Sequence, residues 1–320
     1  MEKTKNNVFI NFLKNYSVLF LLLMFIIICS IISDSFLTMS NIMSLLKQCS
    51  ITGLMAIGMH FVIVTGGIDL SVGSVSAFAS IVMTALIKFK EMPIVPAIII
   101  GIIGGVLFGL INGIFIVRFK LPAFIMTMAS MEAARGLALV ISNGDPITSL
   151  GQSFNWIGKF KIGPVPFIGI LWIILAVIAA LVLKYTVFGR GLYAIGGNEE
   201  AARLSGIRIS SYTILCYVIC GFTAAVAGFF QSSWLQVGQP TISDGKELDA
   251  IAACVIGGAS LSGGRGNMYC TFAGVWLMQI ITNIFNMLGV SSYIQKIMLG
   301  VIIIAALMLN NMLLRVDKKD

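Results

Sequence analysis

From Ile94 to Val117 the chain passes no charged side chain, and the same is true from Val18 to Ser33 and from Val165 to Leu183. A helix needs about 20 predominantly apolar residues to cross the roughly 30 Å hydrocarbon layer of a bilayer. Within lipid, backbone polar groups must be satisfied inside the segment itself, which a helix achieves. Soluble domains carry about 25% charged residues. Here charged residues make up 11% and hydrophobic residues 58% of 320, with a mean hydropathy of +1.00. These runs set the class: an all-α, polytopic membrane protein.

Ten apolar windows are expected to form about ten transmembrane helices: Val18–Ser33, Ile51–Thr65, Val75–Ile87, Ile94–Val117, Leu121–Ile141, Val165–Leu183, Tyr212–Phe230, Leu248–Leu261, Met268–Leu288 and Tyr293–Leu309. The third and eighth are weak enough to read as broken or half-spanning. The chain divides into an N-terminal arm (1–17), a membrane region (18–309) with a long loop at 184–211, and a C-terminal tail (310–320). With both termini placed in the cytoplasm, thirteen of the 21 Lys and Arg residues fall inside, seven outside, and Arg135 within a span. The inside set includes Lys3, Lys5, Lys14, Lys318 and Lys319, and the outside set Lys47, Lys88, Lys90, Lys159, Lys161, Lys246 and Lys296. That bias follows the positive-inside rule. It also accounts for the net charge of +8 without a nucleic-acid partner. No small-residue cleavage site follows the first apolar run, which reads as a retained helix rather than a signal peptide. The six cysteines lie in or beside apolar runs, without metal or redox spacing, and read as packing residues.

Gly101, Gly105, Gly109 and Gly113 form a four-residue stripe along the fourth window. Such a stripe lets a neighbouring helix approach closely. Gly66-Gly67-Ile68-Asp69-Leu70-Ser71 breaks apolar sequence on both sides. An acid at membrane depth marks a functional site by default, whereas at a turn the same Asp69 would cap the following helix; the sequence leaves both readings open. His60, the one histidine, faces either a polar pathway or a neighbouring carbonyl. Glu132 and Arg135, three apart, are expected to pair on one helix face. No paired acids, Ser/His set or metal-ligand cluster points to an intramembrane enzyme; catalytic and metal-binding residues are expected to be absent.

The loop at 184–211 contains a short helix grammar. Asn198 is placed to cap, Glu199 and Glu200 to sit at the positive end of the dipole and Arg203 towards the negative end, and Gly206 to close it in the left-handed conformation. A rigid helix held outside the bilayer suits docking of a partner. Val64–Gly73 and Val255–Gly264 agree at six of ten positions, a candidate internal repeat, although both copies fall on one side of the expected topology. Leu261-Ser262-Gly263-Gly264-Arg265 looks like the signature of cassette ATPases, but no phosphate-binding loop of the GxxxxGK[ST] form accompanies it.

Four stretches, Val64–Val75, Ala134–Leu139, Gly197–Ile207 and Gly238–Gly266, together resemble the ribose-type permeases of bacterial ATP-binding-cassette importers, a likeness that extends over the chain from about Asn41. The resemblance implies an inner-membrane permease that works with a second copy or a paralogue. Its other implied partners are an ATPase subunit that carries ATP and Mg, and an extracytoplasmic binding protein that delivers a ribose-like pentose or other monosaccharide. No cofactor is implied on this chain. Asn198, Glu199, Glu200, Ala202, Arg203 and Gly206 would form the coupling helix. Gly66, Gly67, Asp69, Ser71, Ser260 and Ser262, with His60, would lie near the pathway, and the binding protein would dock near Gln236–Glu247. His60 and Glu132 depart from the usual residues of the family. The rival reading is an ion-coupled secondary carrier built on Asp69, His60 or Glu132.

Overall fold

The computed structural model describes residues 18–316; the N-terminal arm with Lys3, Lys5 and Lys14, and also Lys318 and Lys319, lie outside the described residues. The helices in chain order are α1 (Val18–Ile32), α2 (Met39–Val64), α3 (Val72–Phe89), α4 (Ile94–Arg118), α5 (Ala123–Ser142), α6 (Gln152–Lys159), α7 (Phe167–Tyr185), α8 (Val187–Gly197), α9 (Glu199–Leu204), α10 (Ile209–Leu235), α11 (Lys246–Ile256), α12 (Met268–Met287) and α13 (Ser292–Val316). A two-residue hairpin, β1 (Lys161–Ile162) and β2 (Val165–Pro166), links α6 to α7. Seven helices, α2, α3, α4, α5, α7, α10 and α12, are long and apolar enough to cross a membrane. The chain is therefore an all-α, polytopic membrane protein. Helix α13 runs on to Val316, past residue 309, where the sequence reading ended the membrane region.

Small residues decide which helices meet. On α4, Gly105, Gly109 and Gly113 lie against Gly221, Tyr217 and Ile214 of α10, where an added Cβ would collide with backbone; Gly101 faces Met83 of α3. The stripe is thus a helix-packing surface. Helix α2 is buried from Cys49 to its end and is tied to α12 by polar bonds. Asn41 and Asn283 exchange amide hydrogen bonds of 3.1 and 2.9 Å, and Gln279 donates to Thr52 at 3.0 Å. The six cysteines are free and buried.

Of the two windows expected to be broken or half-spanning, the third differs from expectation and the eighth agrees with it. The third is a helix of 18 residues, long enough to span. Its hydropathy is diluted by Ser74, Ser76, Ser80 and Thr84, all buried in the bundle; Thr84 donates to the Ser80 carbonyl at 2.9 Å, a bond within its own helix. The eighth is a short helix of 11 residues. The remaining thickness of the bundle at this point is covered by segment 236–245, which turns back inward from the end of α10. Gly238 pairs with Ile147 through bonds of 2.7 and 2.9 Å, and Ser243 donates to Gln231 at 2.6 Å. Within the Gln236–Glu247 stretch, Gln236, Gln239, Thr241 and Asp244 are exposed. Pro240, Ile242, Ser243 and Glu247 are buried, and Lys246, expected outside, pairs with Asp249 at 2.8 Å on α11.

Arg135 explains why the segment stays in place. It was expected to pair with Glu132. Instead its guanidinium reaches across to the carbonyls of Pro240 (2.5 Å) and Ile242 (3.1 Å), while Glu132 stays exposed. A run of turns inside the bundle leaves carbonyls that need donors, and a five-donor guanidinium supplies two of them from one side chain.

The candidate repeat has a counterpart at the helix ends. Helices α2 and α11 both close with a left-handed glycine, Gly66 (φ 85°) and Gly258 (φ 83°), and with the same pair of reversed bonds: Gly67 to Val62 and Gly66 to Ile63, Ala259 to Cys254 and Gly258 to Val255. The closures are one residue out of register with the sequence match. The two loops also touch, Gly264 N–H donating to the Val64 carbonyl at 2.9 Å, so the copies share one end of the molecule, as the sequence topology placed them.

Candidate functional site

Helix α9 is built as its residues dictate. The Asn198 side chain accepts from the Ala201 N–H at 2.9 Å, satisfying one of the open donors of the first turn. Gly206, at φ 81°, lets its own N–H reach the Arg203 carbonyl and that of Ile207 reach the Ala202 carbonyl, at 3.0 and 3.1 Å. Glu200 and Arg203 form a two-bond ion pair, one bond at 2.9 Å. The pair holds the Glu200 carboxyl below its ordinary range and the Arg203 guanidinium above its own. Both side chains are 64% exposed. Of the six residues of α9, Ala202 turns inward; Glu199, Glu200 and Arg203 face outward.

The helix stands on glycine. Gly196 and Gly197, at the end of α8, lie against Gly263 and Gly264 of the α11–α12 loop and against the end of α2. A Cβ on Gly264 would come within 2.8 Å of the Gly197 backbone, and one on Gly263 within 2.8 Å of both Gly196 Cα and Gly66 N; a Cβ on Gly196 would collide with the Val64 carbonyl. Three segments distant in sequence thus meet backbone to backbone. Tyr193 fastens the arrangement by donating to the Gly266 carbonyl at 2.9 Å.

Of the residues singled out in the sequence, Gly66, Gly67, Ser260 and Ser262 belong to this seat or its flanks. Ser260 shapes the α11–α12 loop: its N–H bonds the Arg265 carbonyl (3.0 Å), its own carbonyl accepts from Gly263 (2.9 Å), and Ser262 donates its N–H to the Ser260 hydroxyl at 3.3 Å. Asp69 and Ser71 lie deeper. The Asp69 carboxylate accepts from the Ser71 N–H (2.9 Å) and hydroxyl (2.6 Å); Asn112 then donates to Ser71 at 3.1 Å, and Ser130 donates to Asn112. Asp69 is 1% exposed. This buried chain joins the start of α3 to α4 and α5, and the Asp69 side chain orders the turn that leads into α3. His60 bonds the Thr271 hydroxyl at 2.8 Å, not a carbonyl, and its ring lies behind Gly266. Among the described residues no group of three His, Cys, Asp or Glu gathers to hold a metal.

The geometry describes a helical bundle with an external knob seated on its inner framework, and the comparisons with known proteins decide its kinship. Residues 41–307 match the family described as branched-chain amino acid transport system / permease component. This chain belongs to that permease family. Among curated relatives of the permease, the ribose import permease protein of Bacillus subtilis is 44% identical, the match covering 90% of each chain. The ribose import permease protein of Escherichia coli K12 is 38% identical over 91% of each. The L-arabinose transport system permease protein of the same strain is 37% identical over 91% of this chain and 88% of its own. No solved structure matches.

Two features of the permease escaped the sequence reading. Helix α8, capped by Thr186 through a 3.0 Å bond to Gly189 N–H, was not separated from the loop, because its last residues, Gly196 and Gly197, carry no helical preference. Leu204 on α9 is 77% exposed; a large apolar residue on a polar loop helix was the signal available for it.

Proposed function

We propose that this chain is the membrane-spanning permease subunit of an ATP-driven importer for a pentose or related monosaccharide, delivered by an extracytoplasmic binding protein. The relatives named for ribose and L-arabinose import support the substrate class. The observation that carries the reading is α9, a helix capped at both ends whose Glu199, Glu200, Arg203 and Leu204 point away from the bundle. A partner ATPase, which binds ATP and Mg, docks on these residues. Movement of α9 passes through Gly196 and Gly197 to the ends of α2 and α11, so closure of the ATPases changes the side to which the pathway opens.

In this arrangement the protein lies in the bacterial inner membrane, with α9 in the cytoplasm. Val18 packs with Cys270 and Ala273 near the start of α12, which supports a reading in which α1 begins at the α9 end; both termini lie in the cytoplasm in this reading. In this reading the shorter apolar helices α1, α11 and α13 join the seven long ones in the membrane. A second copy of the chain packs along α5. Glu132 lies at the middle of this membrane helix and is exposed, and lipid is a costly environment for a carboxylate.

Glu200→Arg tests the reading. The variant is expected to insert and purify normally, to lose co-purification of the ATPase and to lose ATP-driven uptake of labelled ribose or arabinose. Normal ATP-driven uptake by this variant would overturn the assignment. Uptake that needs no ATPase and collapses with an ion gradient would establish the secondary carrier instead.

A further inference from the structure

At the end of the molecule opposite α9, a hollow opens between α2, the β1–β2 turn and the end of α10. It is lined by Met39, Ser40, Ser44, Lys47, Lys161 and Trp234, among others. The orientation follows from two helices. Val64, the last residue of α2, touches the glycine seat, so the Met39–Lys47 half of α2 lies at the far end; α10 begins just after α9 and carries Trp234 near its close. Lys47 lies 5.6 Å over the Trp234 ring, and Lys161 and Lys159 are near enough to act on it electrostatically. The three ammonium groups make no ion pair with any acid among the described residues.

The platform that holds the two outer lysines is well anchored. Gly158, next to Lys159, donates its N–H to the Ser233 hydroxyl at 2.7 Å, and Ser233 donates to the Phe154 carbonyl at 2.5 Å. A Cβ on Gly158 would collide with the backbone of Trp234. Short helix α6 is thereby clamped to the end of α10, and Lys159 and Lys161 project from a fixed base instead of a free loop.

Like charges gathered without counter-charges repel one another, and the cluster is favourable when an anionic group enters. We propose that this hollow is the docking seat for an acidic side chain of the extracytoplasmic binding protein. The inference rests on the importer reading above. Two observations favour a protein carboxylate over a lipid headgroup: the site is concave, and Lys47 is held inward between α2 and Trp234 while its two companions are exposed at the rim.

The permease is reconstituted with its ATPase in nanodiscs of neutral phosphatidylcholine, and binding of its sugar-loaded binding protein is titrated at several salt concentrations. Neutralising the cluster (Lys47→Gln, Lys159→Gln and Lys161→Gln together) is expected to weaken binding at least tenfold and to flatten its salt dependence, because complementary charge at an interface acts on encounter and screening. The exposed single change Lys161→Gln guards against misfolding and should show the same effect in smaller degree. Neutralising Lys88 and Lys90, at the same end but outside the hollow, should change binding less than twofold. Wild-type affinity and salt dependence in the triple variant would overturn the proposal, as would equal weakening by the Lys88/Lys90 pair or an effect seen only in anionic lipid. Failure of the wild-type permease to bind any binding protein would instead overturn the importer reading itself.

Discussion

Asn198 shows how far one side chain can be read. Its amide caps α9 through the Ala201 N–H, and replacing such a cap with alanine costs about 1 kcal/mol. In a helix of six residues with one buried position, that is enough to loosen the whole element. Asn198→Ala is expected to raise amide exchange across residues 199–204 and to weaken ATPase binding severalfold, while leaving the membrane helices protected; unchanged exchange would show that the seat alone orders α9. The Asn198 cap, the Glu200–Arg203 pair and the Gly206 closure were all legible in the sequence, because each rests on interactions within a few residues. Arg135 was not. Its partners are backbone carbonyls more than a hundred residues away, and a carbonyl leaves no mark in a sequence, whereas Glu132, at helical spacing, offered itself as the obvious partner. The His60–Thr271 bond was hidden for the same reason.

At the scale of elements, the apolar windows located the helices well, since lipid imposes one length on all that cross it. The misjudged third window shows what hydropathy omits. Helix α3 looked weak because buried hydroxyls lower its average, that of Thr84 bonding within the helix and that of Ser76 to Ser243. Helix α11 is short, and the backbone before it enters the bundle as a run of turns held by Arg135. Arg135→Met keeps the length of the side chain and removes both donors. The expected result is release of segment 236–245, seen as labelling of a cysteine at Ser243 by a membrane-impermeant maleimide in the variant and not with Arg135 present. Protection in both would mean that the Ile147–Gly238 bridge and the Ser243–Gln231 bond suffice. No residue pattern announces a partly buried run of turns of this kind.

For the whole molecule, the outer surface sorts into two kinds. Helix α4 shows lipid-compatible Ile99, Ile103, Leu107 and Ile111 on its outer side, whereas α5 shows Glu132 among apolar residues. If α5 lines the contact with a second copy, Glu132→Cys should give a cross-linked dimer with a short bis-maleimide in native membranes, and Ile103→Cys on α4 should not; monomer from both would place the second copy elsewhere. The glycine stripe and the glycine seat were both visible as sequence, but only the fold shows that one binds helices side by side while the other gathers three chain segments at a single point. The construction of α9 carries a last consequence. Its caps, its ion pair and its closing turn all fall between Asn198 and Ile207, and a lone alanine ties its body to the remainder. Recognition is thereby separable from architecture. Exchanging this short stretch for that of another permease, with the glycines beneath it kept, would act as a change of address label, redirecting the molecule to a different motor without rebuilding the machine.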